Sequence, residues 1–127
     1  FKAREEEAVA RAEAAVMDKK EITEDPAVWN KRGIALGKQG KLTEAIQSFD
    51  VAVVLDPKYL AAWNNKGIAL GKMGKYREAI EAFAEAINLD QNFTAASENK
   101  DIANEALGSG AKADAAKTKM GTLEFSE

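Results

Sequence analysis

The chain has 127 residues, 46% apolar and 31% charged, with a formal charge of −3 and a pI near 5.2. That is enough for one modest core, and too acidic for a general phosphate-binding surface, which needs a basic stripe. With no Cys and no His, there is no disulfide framework, thiol nucleophile, His/Cys zinc site or Ser-His-Asp triad, and no apolar run reaches the length of a membrane span.

In chain order, residues 2–20 are rich in Ala and Glu and lack Gly and Pro, which predicts a helix. Glu5, Glu6 and Glu7 near its start and Lys19 and Lys20 at its end suit the helix dipole. The acidic run reads as a solvated helix start rather than a cation site. Asp25-Pro26 then predicts a capped helix start, with Pro26 in the first turn. The stretch WNKRGIALGKQGKLTEAI at 29–46 returns as WNNKGIALGKMGKYREAI at 63–80, 34 residues later and without insertion. Such register implies duplication of one structural unit. Within the unit, Trp29, Gly33, Leu36 and Gly37 share one helical face, and Gly40 stops that helix in the left-handed conformation. Leu42, Ala45, Ile46, Phe49, Ala52 and Val53 resume the helical spacing until Leu55-Asp56-Pro57 closes it. Two antiparallel helices joined by a Gly-Lys turn are predicted. The second copy runs through Trp63, Gly67, Leu70, Gly74, Ala79, Phe83, Ala86 and Leu89-Asp90.

A third start follows, in which Ala95, Ala96, Asn99, Lys100, Ile102 and Ala103 match residues 34 earlier. Ser97, Asp101 and Asn104 now replace Trp, Gly and Leu, the polar outer face expected of a capping helix over 94–107. Gly108-Ser109-Gly110 breaks it. Residues 111–127 are polar and Ala/Lys-rich, predicting a mobile tail or loosely docked helix removable with little loss of stability. The exceptions within it are Met120, Leu123 and Phe125, which are suited to covering an open face, and Gly-Thr-Leu-Glu-Phe at 121–125 also reads as a cloning scar. The expected organisation is an acidic helix and linker at 1–25, repeats at 26–59 and 60–93, a cap at 94–107 and a polar tail at 108–127. Because the chain opens at Phe1 rather than Met, a fragment or processed product is expected. Cytoplasmic residence is expected from the lack of a visible signal peptide.

These residues resemble the tetratricopeptide repeat family, whose motif is W-x2-L-G-x2-Y, then A-x3-F, then P on a 34-residue period. Trp29, Gly33, Ala45, Phe49 and Pro57 fit it, as do Trp63, Gly67, Ala79 and Phe83. Arg32 and Lys66 stand where the family has Leu, so their stems should lie along the packing with their heads in water. Leu36 and Leu70 replace Tyr, and Gln91 replaces the second Pro, which should weaken the last turn. The resemblance implies an all-α fold, a right-handed α-α superhelix of antiparallel helix hairpins. Gly33, Gly67, Ala45 and Ala79 would allow close helix approach, and Trp and Phe would fill the space between hairpins. About three repeats are usually needed for stability, so the flanking helices must complete the cover or copies of the chain must stack.

In the resembled family the first helix of each repeat lines a concave peptide groove. Carried over, that face holds Asn30, Lys31, Ile34, Gly37 and Lys38, then Asn64, Asn65, Ile68, Gly71 and Lys72, then Glu98, Asn99 and Ile102. Asn pairs with a peptide backbone through one donor and one acceptor. The isoleucines give an apolar centre, and the lysines a basic rim for an acidic ligand with apolar anchors. With the groove empty, Asn64 and Asn65 should face solvent. Of the positions that clamp a chaperone's C-terminal carboxylate in this family, only Asn65 matches, so that ligand is not expected. Gly71-Lys72-Met73-Gly74-Lys75 lacks the frame of a P-loop and reads as a helix end with solvated lysines. Gly33-x3-Gly37 and Gly67-x3-Gly71 read as close soluble packing rather than membrane dimerisation. The expectation is a non-enzymatic protein-interaction module without metal, cofactor, nucleic acid or membrane partner. The alternative is an architectural fragment that self-associates through open solenoid ends.

Overall fold

The structure, a computed structural model, describes residues 25–127. The helix expected over 2–20 lies outside the described residues. Six helices follow one another: α1 (Pro26–Lys38), α2 (Leu42–Leu55), α3 (Leu60–Lys72), α4 (Tyr76–Leu89), α5 (Thr94–Ala106) and α6 (Ala111–Thr122). Each packs on the next, and the inner helices α1, α3 and α5 also touch in sequence. The described residues form an all-α solenoid of helix hairpins, and α6 folds back far enough to reach α3.

Local chemistry sets the helix ends. Asp25 caps α1 by accepting from the Ala27 amide at 2.9 Å, with Pro26 in the first turn. Gly40 takes φ +82°, the Lys41 amide donates to the Leu36 carbonyl at 2.9 Å, and the Gly40 amide to the Gly37 carbonyl at 3.0 Å. This pair of bonds is a Schellman closure. Gly74 repeats it at φ +81°, 34 residues on. Between hairpins the Asp56 carboxylate accepts from the Lys58 amide at 3.0 Å, and Asp90 accepts from the Asn92 amide at 2.9 Å. The second turn therefore keeps its shape although Gln91 stands where the first has Pro57, because the aspartate side chain supplies the turn's bond.

Phe49 and Phe83 are completely buried and face Gly33 and Gly67 of their own hairpins, where any Cβ would overlap the ring. Trp29, Tyr59 and Trp63 pack around Ala52, Val53 and Ala62 where the first hairpin meets the second. Trp63 Nε1 donates to the Pro57 carbonyl at 2.8 Å, fixing the indole to the turn. Arg32 and Lys66 do more than leave their heads in water. Their cationic groups lie 5.3 and 5.6 Å from the centroids of Trp29 and Trp63, and Lys66 pairs with Asp50 at 2.7 Å.

Of the two expectations for the C-terminal stretch, a mobile tail or a loosely docked helix, the structure has a helix, and one with a buried face. Ala111–Thr122 is a helix that buries Ala113, Ala116 and Met120. Their spacing of three and four residues places them on one face, which packs on α5. An Ala/Lys-rich composition favours the helix but conceals its docking, since two small side chains and one flexible thioether suffice to seat it.

Candidate peptide groove

The inner faces of α1, α3 and α5 form the candidate site, and its floor is built from close contacts. Ile34 and Ile68 are buried, and Ile102 is half-buried against the cluster around Phe83. Two asparagine pairs tie adjacent inner helices together. Asn65 Nδ2 donates to Asn30 Oδ1 at 2.9 Å, and Asn99 Nδ2 donates to Asn64 Oδ1 at 3.2 Å. All four side chains are buried. The expectation that Asn64 and Asn65 face solvent is therefore corrected. An asparagine at the second position of one repeat meets one at the third position of the next, and a buried amide needs such a partner.

The groove is occupied by the chain's own end. Leu123 leaves α6 with extended backbone, φ −63° and ψ 143°. Met120 covers Gly71, and the Phe125 ring covers Gly37, at points where a Cβ would collide with either side chain. Phe125 packs beside Phe49 with ring centroids 5.8 Å apart, and Leu123 joins it against the Phe83 cluster. At the next residue Asn65 acts as a main-chain clamp. Its Nδ2 donates to the Ser126 carbonyl at 2.6 Å, and its Oδ1 accepts from the Ser126 amide at 2.9 Å. Lys72 Nζ donates to the Gly121 carbonyl at 2.8 Å and lies 5.6 Å from the Phe125 centroid. Glu127 ends 3.9 Å from Lys31, both side chains well exposed.

Burial under this segment holds the Lys72 ammonium below the usual lysine range, against the opposing pull of Glu124. The Tyr59 phenol is raised above its usual range, first by burial and then by the carboxylates of Asp25, Glu127 and Asp56, with neighbouring Asn30 opposing. Asn30 Nδ2 is buried beside that hydroxyl without a hydrogen bond of full geometry.

Of the groove residues read from the sequence, the occupant reaches Lys31, Asn65, Lys72, Gly37 and Gly71 directly, and it packs on the clusters that contain Ile34 and Ile68. Asn30 lies one bond behind Asn65, whereas Asn64 and Asn99 bond to each other. Lys38 stands exposed at the end of α1. Sequence reasoning assigned no site role to Ser126 or Glu127, and named Met120, Leu123 and Phe125 only as cover for an open face. Their signal was there, three apolar side chains in a polar stretch. Among the described residues no three His, Cys, Asp or Glu side chains stand together as a metal site, and no helix is long and apolar enough to cross a membrane.

A family model described as tetratricopeptide repeat matches residues 60–93, and a second, described as TPR repeat, matches residues 35–74. No curated protein matches the chain. Tetratricopeptide repeats generally act as non-catalytic scaffolds for protein interaction. The 34-residue period, the glycine-closed hairpins and these matches agree: residues 35–93 are tetratricopeptide repeats.

Proposed function

We propose that the protein is a non-enzymatic, cytoplasmic interaction module that binds an acidic peptide segment of a partner protein, with apolar anchors, along the groove of α1, α3 and α5. One observation carries the reading. Asn65 holds both the amide and the carbonyl of Ser126, so the groove is built to grip main chain whatever the side chain. The flanking Lys31 and Lys72 supply the positive rim that an acidic segment requires. Self-association through open ends is the weaker alternative, because α6 already covers α5 at the C-terminal end of the described solenoid.

The test is display selection of peptides on the 127-residue chain, followed by calorimetric titration. Selected peptides should lose about tenfold in affinity on Asn65→Ala, since about 1.4 kcal/mol is one decade. Charge reversal by Lys31→Glu should weaken the acidic ones further. Peptides indifferent to both substitutions would move the site off the concave face.

A further inference from the structure

The occupant of the groove has the chemistry of a ligand, and its hold is shallow. Leu123 and Phe125 are only half-buried, and Glu124, Ser126 and Glu127 are exposed. By contrast Met120, one turn earlier, is completely buried on Gly71 and anchors the end of α6. The last five residues can therefore leave without undoing the α6 anchor. They are held by Leu123 against the Phe83 cluster, by the Phe125 ring on Gly37 beside Phe49 and Lys72, by two bonds to Asn65 and by an exposed ion pair. Such an ion pair contributes little.

We propose that residues 123–127 are a built-in competitor that closes the groove, and that the partner segment carries the same pattern: aliphatic, any residue, aromatic, any residue with a free amide, acidic. This rests on the groove-binding reading above and adds the sequence preference and the competition. Each position has its reason in the seat. The aliphatic residue meets the Phe83 cluster, and the aromatic ring lies on the Cβ-free surface of Gly37 between Phe49 and the Lys72 ammonium. At the fourth position Asn65 holds the backbone and the side chain is exposed, and the acid faces Lys31. A tethered segment acts at an effective concentration of roughly millimolar. If its intrinsic dissociation constant lies about ten- to a hundredfold below that, the groove is mostly closed and external affinity falls by the same factor.

The probe is a fluorescein-labelled peptide of residues 121–127, Gly-Thr-Leu-Glu-Phe-Ser-Glu, titrated by anisotropy against the full chain and its Phe125→Ala variant. The variant should bind at least tenfold more tightly than the parent, and the peptide with alanine in place of phenylalanine should lose that binding. Ser126→Pro removes the amide that Asn65 accepts without touching an apolar contact. It serves as the second opened form if Phe125→Ala melts early, with the same expected gain. Equal affinity of parent and both variants would show that residues 123–127 do not close the site. An opened variant that ignores this peptide, yet binds display-selected peptides in an Asn65-dependent way, would overturn the pattern while leaving groove binding intact. A parent whose mass doubles with concentration, and whose Phe125→Ala form stays monomeric, would make the occupant a second copy's segment and overturn closure within one chain.

Discussion

Asn65 and Ser126, 61 residues apart, exchange two hydrogen bonds across the groove, the asparagine amide donating at 2.6 Å and its carbonyl accepting at 2.9 Å. The same Asn65 amide also donates to Asn30, so one buried side chain joins two repeats and the occupying segment. Asn65→Ala should therefore lower stability by about 1–3 kcal/mol, because Asn30 Oδ1 is left buried and unpaired. Asn64→Ala should act similarly through Asn99. Urea unfolding checks both, and parent-like midpoints would mean that the ladder contributes nothing to the fold.

Gly67→Leu should cost about 1–3 kcal/mol or more, since its Cβ falls on the completely buried Phe83 ring in a filled interface. Gly74→Ala meets no neighbour and is strained only by its positive φ, so it should be the milder change. Thermal melts of the two variants side by side check the ranking.

Met120→Ala should cost about 2–5 kcal/mol, the usual range for emptying a fully buried methionine site. Truncation after Gly110 should destabilise cooperatively, because it uncovers α5 as well as the groove. The composition of residues 111–127 argues for the opposite outcome, so calorimetry of the truncated chain separates the two views. A parent-like melt would return the segment to the status of a dispensable tail.

The raised Tyr59 phenol gives a pH dependence with a definite sign. The folded state keeps its proton to higher pH than the unfolded state. Stability is thus lost as pH rises above about 10, the ordinary tyrosine value. Lys72 acts in the opposite sense, because its lowered folded value means that the unfolded state binds more protons near there. Tyr59→Phe removes the first contribution and leaves the second. Between about pH 9 and about pH 11 the parent should lose more stability than Tyr59→Phe in denaturant titrations. Identical slopes would place the phenol outside any burial that matters.

What the sequence determined by itself is the repeat. Helix ends at Asp25, Gly40, Asp56, Gly74 and Asp90 are set by bonds to residues two to five positions away, so the 34-residue period carries the hairpins with it. The candidate groove face came from the family resemblance carried over onto the repeat, with helical spacing grouping Asn30, Ile34 and Gly37. Only the tertiary structure decided which way the asparagines turn and what fills the groove. Those depend on partners 35 and 61 residues away, and no local spacing encodes a contact that exists only after the solenoid has closed. How firmly helix α6 docks escaped for a related reason. Its burial rests on Ala113, Ala116 and Met120 alone, too little apolar surface to tell a docked helix from a mobile tail until α5 is there to receive it.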